Sequence, residues 1–430
     1  MSAESPVPAV PESPATGPSP VPDRQRIESI DVLRGVAVLG ILALNIQAFA
    51  MPGVAYINPT AYGDFSGVNY GLWLLVHLLG DLKFWSIFSM LFGAGIVITT
   101  TRCEQTGRSA AGVHYRRMFW LLLFGLLHAH LIWFGDILYT YAMCGFVLYF
   151  FRKLSPRMLL VLGLIPLLIA CCISTGFGWL LASETIPEMN QEMARSWSPD
   201  ADMLQQELDA YRGSWLEQMP ARVVSAIFSE TFLFLTVFGW RSAGLILIGM
   251  GLYKLGVFSA ERSRRFYGML VAIALLGGLP LIGWGVYSHW QNDWSMEYSF
   301  YLGPLYNFWG SIPVALGWVG AVMLVCKSPR HQFLTRPFAA TGRMALSCYL
   351  LQSIVCTWIY YGHGLGWFGY TERWQQYLLV VGVWAGLLVF APVWLKYFRF
   401  GPFEWLWRTL TYMKIQPILA PRIDRPDSGA

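Results

Sequence analysis

From residue 27 onward, long apolar runs alternate with short basic stretches. A helix needs about 20 mostly apolar residues to cross a bilayer. Runs of that kind fall at about 31–50, 71–100, 117–134, 136–152, 157–181, 226–253, 266–288, 305–326, 340–361 and 377–397. The third and fourth are short and meet at Phe134-Gly135-Asp136, which predicts a tight helical hairpin. The second is overlong and is expected to break near Gly80. The pattern predicts an all-α, polytopic transmembrane helix bundle over residues 27–415, with about ten spans and eleven as the alternative count.

The flanking and intervening polar stretches differ in kind. Residues 1–26 hold seven prolines and no apolar period, so they predict a disordered tail. They lack the basic start and small-residue cleavage site of a signal peptide, so the first span is expected to be retained. Residues 416–430 form a second expected tail. Between spans, residues 182–225 are acidic, yet Leu204, Leu208, Tyr211, Trp215 and Met219 recur at helical spacing. That stripe reads as an amphipathic helix lying on the outer leaflet; the alternative is a lid over an external site. No internal repeat is evident, which counts against transporters built on inverted repeats.

Loop charge tests the span count independently. Threading the chain through ten spans puts 23 Lys and Arg on one side and 4 on the other, with Arg34, Lys83 and Arg241 inside spans. Positive residues gather in the cytoplasm, so both termini are expected there. Composition agrees: 55% hydrophobic, 16% aromatic and 13% charged residues, where a soluble domain carries about 25% charged. A soluble enzyme, a disordered protein and a nucleic-acid binder are excluded. The seven cysteines form no C-x-x-C pair and no zinc-like spacing with His, so neither a disulfide framework nor a metal site is expected.

Ionisable groups inside a membrane are costly, which makes each a candidate for function. The polar residues to explain are Arg34, Asn45, His77, Asp81, Lys83, His128, His130, Asp136, Glu230 and Arg241. Arg34 and Asn45 are eleven residues apart, almost three turns, so they share a helix face about 16 Å from one another. A fixed guanidinium near the cytoplasmic end suits a phosphate-rich ligand; the alternative is a snorkelling Arg at the boundary. His128 and His77 reach a depth similar to Asn45, and Asp136 opens the fourth span beside the hairpin turn. A histidine oriented by a carboxylate is the expected general-base arrangement. Lys83 lies too deep to reach water and needs an anion, Asp81 or Asp136, or else holds a substrate carbonyl or phosphate. Glu230 and Arg241 are expected to pair with other helices. The external stretch His289 to Tyr298 mixes aromatics with carboxylates and amides, as an interfacial aromatic belt or a sugar site would.

Five stretches resemble the YeiB-like bacterial inner-membrane proteins. They are Asp31 to Asn45; Lys83-Phe84 with Phe92-Gly-Ala-Gly95; Phe124-Gly-Leu-Leu-His128 with Gly135-Asp136-Ile-Leu; Gly342-Arg343-Met-Ala-Leu-Ser-Cys-Tyr349-Leu-Leu-Gln352; and Gly401-Pro402-Phe-Glu404-Trp-Leu-Trp407-Arg408. That family is similar in turn to the transmembrane acyltransferase superfamily, which includes heparan-α-glucosaminide N-acetyltransferase and acyltransferase family three. The resemblance implies a bundle that moves an acyl group from cytoplasmic acyl-CoA to an external acceptor. Arg34 matches the first-span Arg of acyltransferase family three, whereas the His eleven positions later is replaced by Asn45. The heparan enzyme has Asn there and a His soon afterwards; here no His lies between Asn45 and His77. Cys348 stands where Asn is expected in relatives.

The leading expectation is an integral membrane acyltransferase of the bacterial inner membrane, using acetyl-CoA or another acyl-CoA as co-substrate and no metal. Arg34, with Arg241 and Arg343, would hold the CoA phosphates. Asn45 or Lys83 would polarise the thioester, and His128, oriented by Asp136, would act as base. His77, Lys83 and His130 would face the acceptor: a small molecule, glycan or lipid. Expected partners are the lipid bilayer and that acceptor, with a homo-oligomer allowed. A transporter of a small metabolite or lipid and a non-catalytic scaffold are the alternatives.

Overall fold

A computed structural model describes residues 27–183 and 186–420, so the tail expected at 1–26 and the chain beyond 420 lie outside the described residues. The first helices are α1 (Glu28–Ala50), the single-turn α2 (Val54–Ile57), α3 (Gly67–Leu79) and α4 (Lys83–Gln105). The hairpin pairs α5 (Ala110–Leu131) with α6 (Leu138–Leu148), and α7 (Pro156–Ala182) follows. The acidic segment folds as α8 (Pro187–Trp197) and α9 (Ala201–Arg212). A continuous rod then runs through α10 (Met219–Phe228), a π-helical stretch Ser229–Phe238 and α11 (Gly239–Lys254). A second rod joins α12 (Arg264–Ile273) to α13 (Leu279–Gln291) through π-helical Ala274–Gly278. The chain closes with α14 (Met296–Ser299), α15 (Gly303–Cys326), α16 (Gln332–Arg343), α17 (Ala345–Tyr360), α18 (Arg373–Tyr397) and α19 (Pro402–Tyr412). Among the described residues β-structure is limited to one isolated antiparallel bridge, Phe398 with Leu419.

Local chemistry sets many of these boundaries. The Ser109, Ser155 and Asp200 side chains accept from backbone N–H groups of the first turns of α5, α7 and α9, satisfying donors that a helix start otherwise leaves unpaired. Glu372 and Gln375 cap the start of α18 reciprocally. The overlong second run does break near Gly80. Gly80 and Asp81 both donate to the Val76 carbonyl, and Leu82 adopts φ 62°, a left-handed conformation that re-aims α4.

Seven of these helices are long and apolar enough to cross a membrane: Glu28–Ala50, Gly67–Gln105 (read across its break), Pro156–Leu181, Met219–Lys254, Arg264–Gln291, Met296–Cys326 and Arg373–Tyr397; Ala345–Tyr360 is a shorter apolar helix. The hairpin helices fall outside that set, since α5 carries His114, Arg116, Arg117, His128 and His130, and α6 has 11 residues. The chain is an all-α multi-pass membrane protein.

Helix α1 lies at the centre, buried on nearly every side, and packs on α16, α4, α17 and α18. Small residues let these backbones meet. A Cβ on Gly35 would press into the Phe338 carbonyl, and one on Gly342 into the Asp31 carbonyl, so α1 and α16 cross in backbone contact. Gly93 and Gly249 do the same for α4 and α11.

Two expectations change. The run at 340–361 is broken near its start: α16 ends at Arg343 and α17 begins at Ala345, with Met344 between them outside helical geometry. The apolar stripe of the acidic segment packs on protein through two of its residues, while Trp215 stays exposed. Leu208 and Tyr211 are buried in a cluster with Tyr361 and Phe368, Glu207 accepts from the Gly53 N–H at 2.9 Å, and Arg212 donates to the Phe368 carbonyl at 2.8 Å. The segment is a cap on the protein. Burial raises the Glu207 carboxyl above the ordinary range, more than that one hydrogen bond lowers it.

Candidate functional site

At the basic end of the bundle, four helices each bring an arginine to one cavity of 330 Å³: Arg34 from α1, Arg117 from α5, Arg343 from the end of α16 and Arg408 from α19. Arg34 Nη1 meets Asp31 Oδ1 one turn away at 2.9 Å. Arg117 Nη1 donates to Thr99 Oγ1 at 2.7 Å, and its guanidinium lies 4.3 Å above the Trp407 ring. The Trp407 indole N–H donates back to the Arg117 carbonyl at 3.1 Å, which docks α19 on α5. Arg343 sits at a helix C-terminus, where the helix dipole favours a cation.

Glu404, also on α19, organises the cavity wall. Its Oε1 accepts from the Leu346 and Ser347 N–H groups at 2.7 and 3.1 Å, capping α17, and the Ser347 hydroxyl donates to its other oxygen. Burial raises this carboxyl above the ordinary range, outweighing those hydrogen bonds. The cavity lining thus holds four guanidinium groups against the carboxylates of Asp31 and Glu404. Inward, the walls turn apolar with Phe88, Leu91, Phe92 and Leu121, and the inner end is made by Ile137, Leu138, Tyr141 and Tyr349.

That inner end abuts the hairpin. His128 Nδ1 and Asp136 Oδ2 are 2.8 Å apart, with the two side chains 1% and 2% exposed. Asp136 Oδ1 accepts from the Tyr139 N–H at 2.7 Å, so the same carboxylate starts α6 and orients the histidine. His128 Nε2 is buried and has no hydrogen-bond partner among the described residues. The Tyr349 ring, which lines the cavity, is 5.1 Å from the His128 ring. Gly125 makes this closeness possible: a Cβ there would stand 2.4 Å from Tyr139 N and 2.8 Å from Asp136 Oδ1.

The other expected residues go elsewhere. His77 and Asp81 pair at 3.2 Å. Asp81 accepts from Asn307 at 2.7 Å, and the same Asn307 accepts from Lys83 Nζ at 2.6 Å, so Lys83 reaches its carboxylate through an amide. His130 pairs with Glu230 at 3.1 Å. Asn45 is half-buried on α1 and does not line the cavity. Arg241 does not line it either, contrary to its expected place at the anion pocket. It is fully buried, donates to the Phe308 carbonyl and to Ser86 and Ser311 hydroxyls, and covers the Phe308 ring at 4.5 Å. Its face of α11 looks toward α4 and α15, where it ties three helices together.

Arg117, Arg408, Glu404, Trp407 and Tyr349 were not among the expected site residues. The signal was present for four of them, which lie in the stretches from Gly342 and from Gly401 that carry the family resemblance. Arg117 reads in sequence as a loop charge.

Residues 252–414 match the family model described as a protein of unknown function (DUF418). The chain is 32% identical over 406 residues to the uncharacterized protein YeiB of Escherichia coli K12, covering 92% of this chain and 99% of the relative. It is 31% identical over 417 residues to the uncharacterized protein YxaH of Bacillus subtilis 168, covering 93% and 97%. An uncharacterized 39.9 kDa protein from the amylase 3′ region of Bacillus acidopullulyticus is 26% identical over 401 residues, covering 93% and 98%.

Proposed function

The chain belongs to the YeiB-like DUF418 family of membrane proteins, and on that footing we propose that it is an integral membrane acyltransferase of the bacterial inner membrane. It moves an acyl group from cytoplasmic acyl-CoA to a hydroxyl or amine arriving from the other side. One observation carries this reading: a cavity with four arginines at one end and apolar walls beyond them stops beside a sealed His–Asp pair whose second ring nitrogen is unpartnered.

In the orientation that puts 23 basic residues inside, the arginine end opens to the cytoplasm. Guanidinium groups make strong, often bidentate bonds to phosphate, so Arg34, Arg117, Arg343 and Arg408 suit the CoA phosphates. The apolar walls suit the pantetheine chain, whose thioester would then reach Tyr349. His128 Nε2 then takes the proton of the acceptor as it attacks the carbonyl. Asp136 holds the ring in the tautomer that leaves Nε2 free and stabilises the imidazolium that forms. The C–S bond breaks and His128 returns the proton to the CoA sulfur. Burial of the pair excludes water, which would otherwise hydrolyse the thioester.

Binding of acetyl-CoA to the detergent-purified chain, followed by thermal unfolding, tests the reading. Ligand at 100 times its dissociation constant stabilises the fold by about 2.7 kcal/mol. The expected result is saturable stabilisation that Arg343→Ala or Arg117→Ala weakens and His128→Ala leaves intact. No stabilisation by any acyl-CoA overturns it.

A further inference from the structure

A second polar pair stands beside the His128–Asp136 pair, and it is open where the first is sealed. His130 and Glu230 are 3.1 Å apart with side chains 27% and 13% exposed. Tyr139 links the two pairs, its N–H donating to Asp136 Oδ1 and its hydroxyl to the Glu230 carbonyl at 3.2 Å. Glu230 Oε1 is buried without a hydrogen-bond partner among the described residues. An orphaned carboxylate oxygen is expensive to keep unless a ligand completes it.

Glu230 belongs to the π-helical stretch Ser229–Phe238, in which no residue is buried. Such stretches are rare and recur at functional positions. Their depth can be read along the rod. Glu230 is 24 residues from Lys254 at the basic end; the α-helical rise of about 1.5 Å per residue gives about 36 Å as an upper bound, the π-helical turns rising less, against a hydrocarbon thickness of about 30 Å. Glu230 therefore stands at the headgroup level of the opposite leaflet. The route from water above the hairpin is covered instead: Trp215 and Arg222 both donate to the Leu131 carbonyl, at 2.9 and 2.6 Å.

We propose that His130, Glu230 and the Ser229–Phe238 stretch form a lateral port through which a lipid of the outer leaflet presents a primary ammonium headgroup to His128. This deepens the acyl-transfer reading and rests on it. A carboxylate with a vacant oxygen recognises an ammonium, and Asp136 nearby adds negative charge. The headgroup sheds one proton through the His130–Glu230 pair to the water of the headgroup layer beside the port. The amine nitrogen then attacks the thioester carbonyl, forming the N–C bond as the C–S bond breaks. The second proton passes through His128 to the CoA sulfur, so acyl-CoA and R–NH3+ give the amide, CoA–SH and one proton.

The test uses the full chain in detergent and follows thermal unfolding with four separate titrants: phosphatidylethanolamine, its N-acetylated form, phosphatidylcholine and soluble ethanolamine. CoA is titrated in parallel. Saturable stabilisation by phosphatidylethanolamine alone is expected, weakened tenfold or more in Glu230→Gln and in His130→Ala, with CoA binding unchanged in both. Equal titration by phosphatidylcholine, or indifference to both substitutions, overturns the port. Ethanolamine matching the lipid places the amine in water and overturns the lateral route. If CoA fails to bind while the lipid titrates as expected, the port stands and the acyl-transfer reading falls.

Discussion

His128 and His130 are two residues apart on one helix, and each is paired with a carboxylate, yet their surroundings are opposite. Two residues turn an α-helix by about 200°, so the rings leave α5 in different directions and meet different carboxylates, which Tyr139 bridges. His128 meets a carboxylate only eight residues along the chain, inside a hairpin with almost no exposed surface. His130 meets one a hundred residues away, on a stretch with no buried residue. The same two side-chain types thus give a sealed, pre-oriented pair in one place and a partly exposed pair in the other. Burial and the origin of the carboxylate, rather than residue type, separate the roles.

The largest expected difference between the pairs is in rate. His128→Ala should lower acyl transfer by about 10²–10⁴, the value of one positioned general base, while acetyl-CoA still binds. His130→Ala should leave single-turnover chemistry far less affected when a saturating amine is supplied above its own pKa, where neither capture nor the first deprotonation depends on the pair. Stopped-flow release of CoA thiol from both variants measures the contrast; equal losses would erase it.

Arginine substitutions sharpen the comparison from the other end of the cavity. Arg117→Ala or Arg343→Ala should weaken CoA about tenfold, the scale of one charge-assisted hydrogen bond of about 1.5 kcal/mol. Neither should alter an amine titration at the His130–Glu230 pair. Gly125→Ala tests the hairpin that seals His128: the added methyl collides with Tyr139 and Asp136 and should cost about 1–3 kcal/mol of stability, read by thermal unfolding.

The smallest effect is in the outer cap. Burial raises Glu207 above the ordinary carboxylate value of 4.5. Folding therefore favours its protonated form, and the stability that form contributes is present below pH 4.5 and lost as pH rises through the raised value. Glu207→Gln, which keeps an acceptor for the Gly53 N–H, should flatten the decline of melting temperature with pH just above 4.5. An unchanged slope would show that the cap carboxylate is not coupled to folding.

The legible parts of the molecule were those decided by nearby residues. Apolar runs marked the helices, Gly80 marked the break before α4, and Phe134-Gly135-Asp136 marked the turn that brings Asp136 under His128. His128 is buried, but depth along a span does not say which way a side chain points. Arg241 lies at the membrane interior and faces α15 instead of the cavity for that reason. Arg117 and Arg408 read as loop charges because the docking of α19 on α5, which turns both inward, joins segments nearly 300 residues apart. Helical spacing from Leu204 to Met219 reads as one continuous stripe, whereas α9 ends at Arg212 and Trp215 lies in the turn before α10; its buried members Leu208 and Tyr211 pack with Tyr361 and Phe368. Asn307, the amide between Lys83 and Asp81, gave no sign in an apolar run.

The central claim is that CoA phosphates sit among the four arginines while His128 drives transfer at the inner end. Its most direct test is a single-turnover reaction of the full chain, reconstituted in vesicles of total bacterial polar lipid, with acetyl-CoA labelled in the acetyl group. The account predicts that label leaves CoA in step with free thiol, that His128→Ala slows this by about 10²–10⁴ while still binding acetyl-CoA, and that Arg343→Ala slows it by weakening binding. Label remaining on CoA in the wild type, or leaving it equally fast in His128→Ala, would contradict the account.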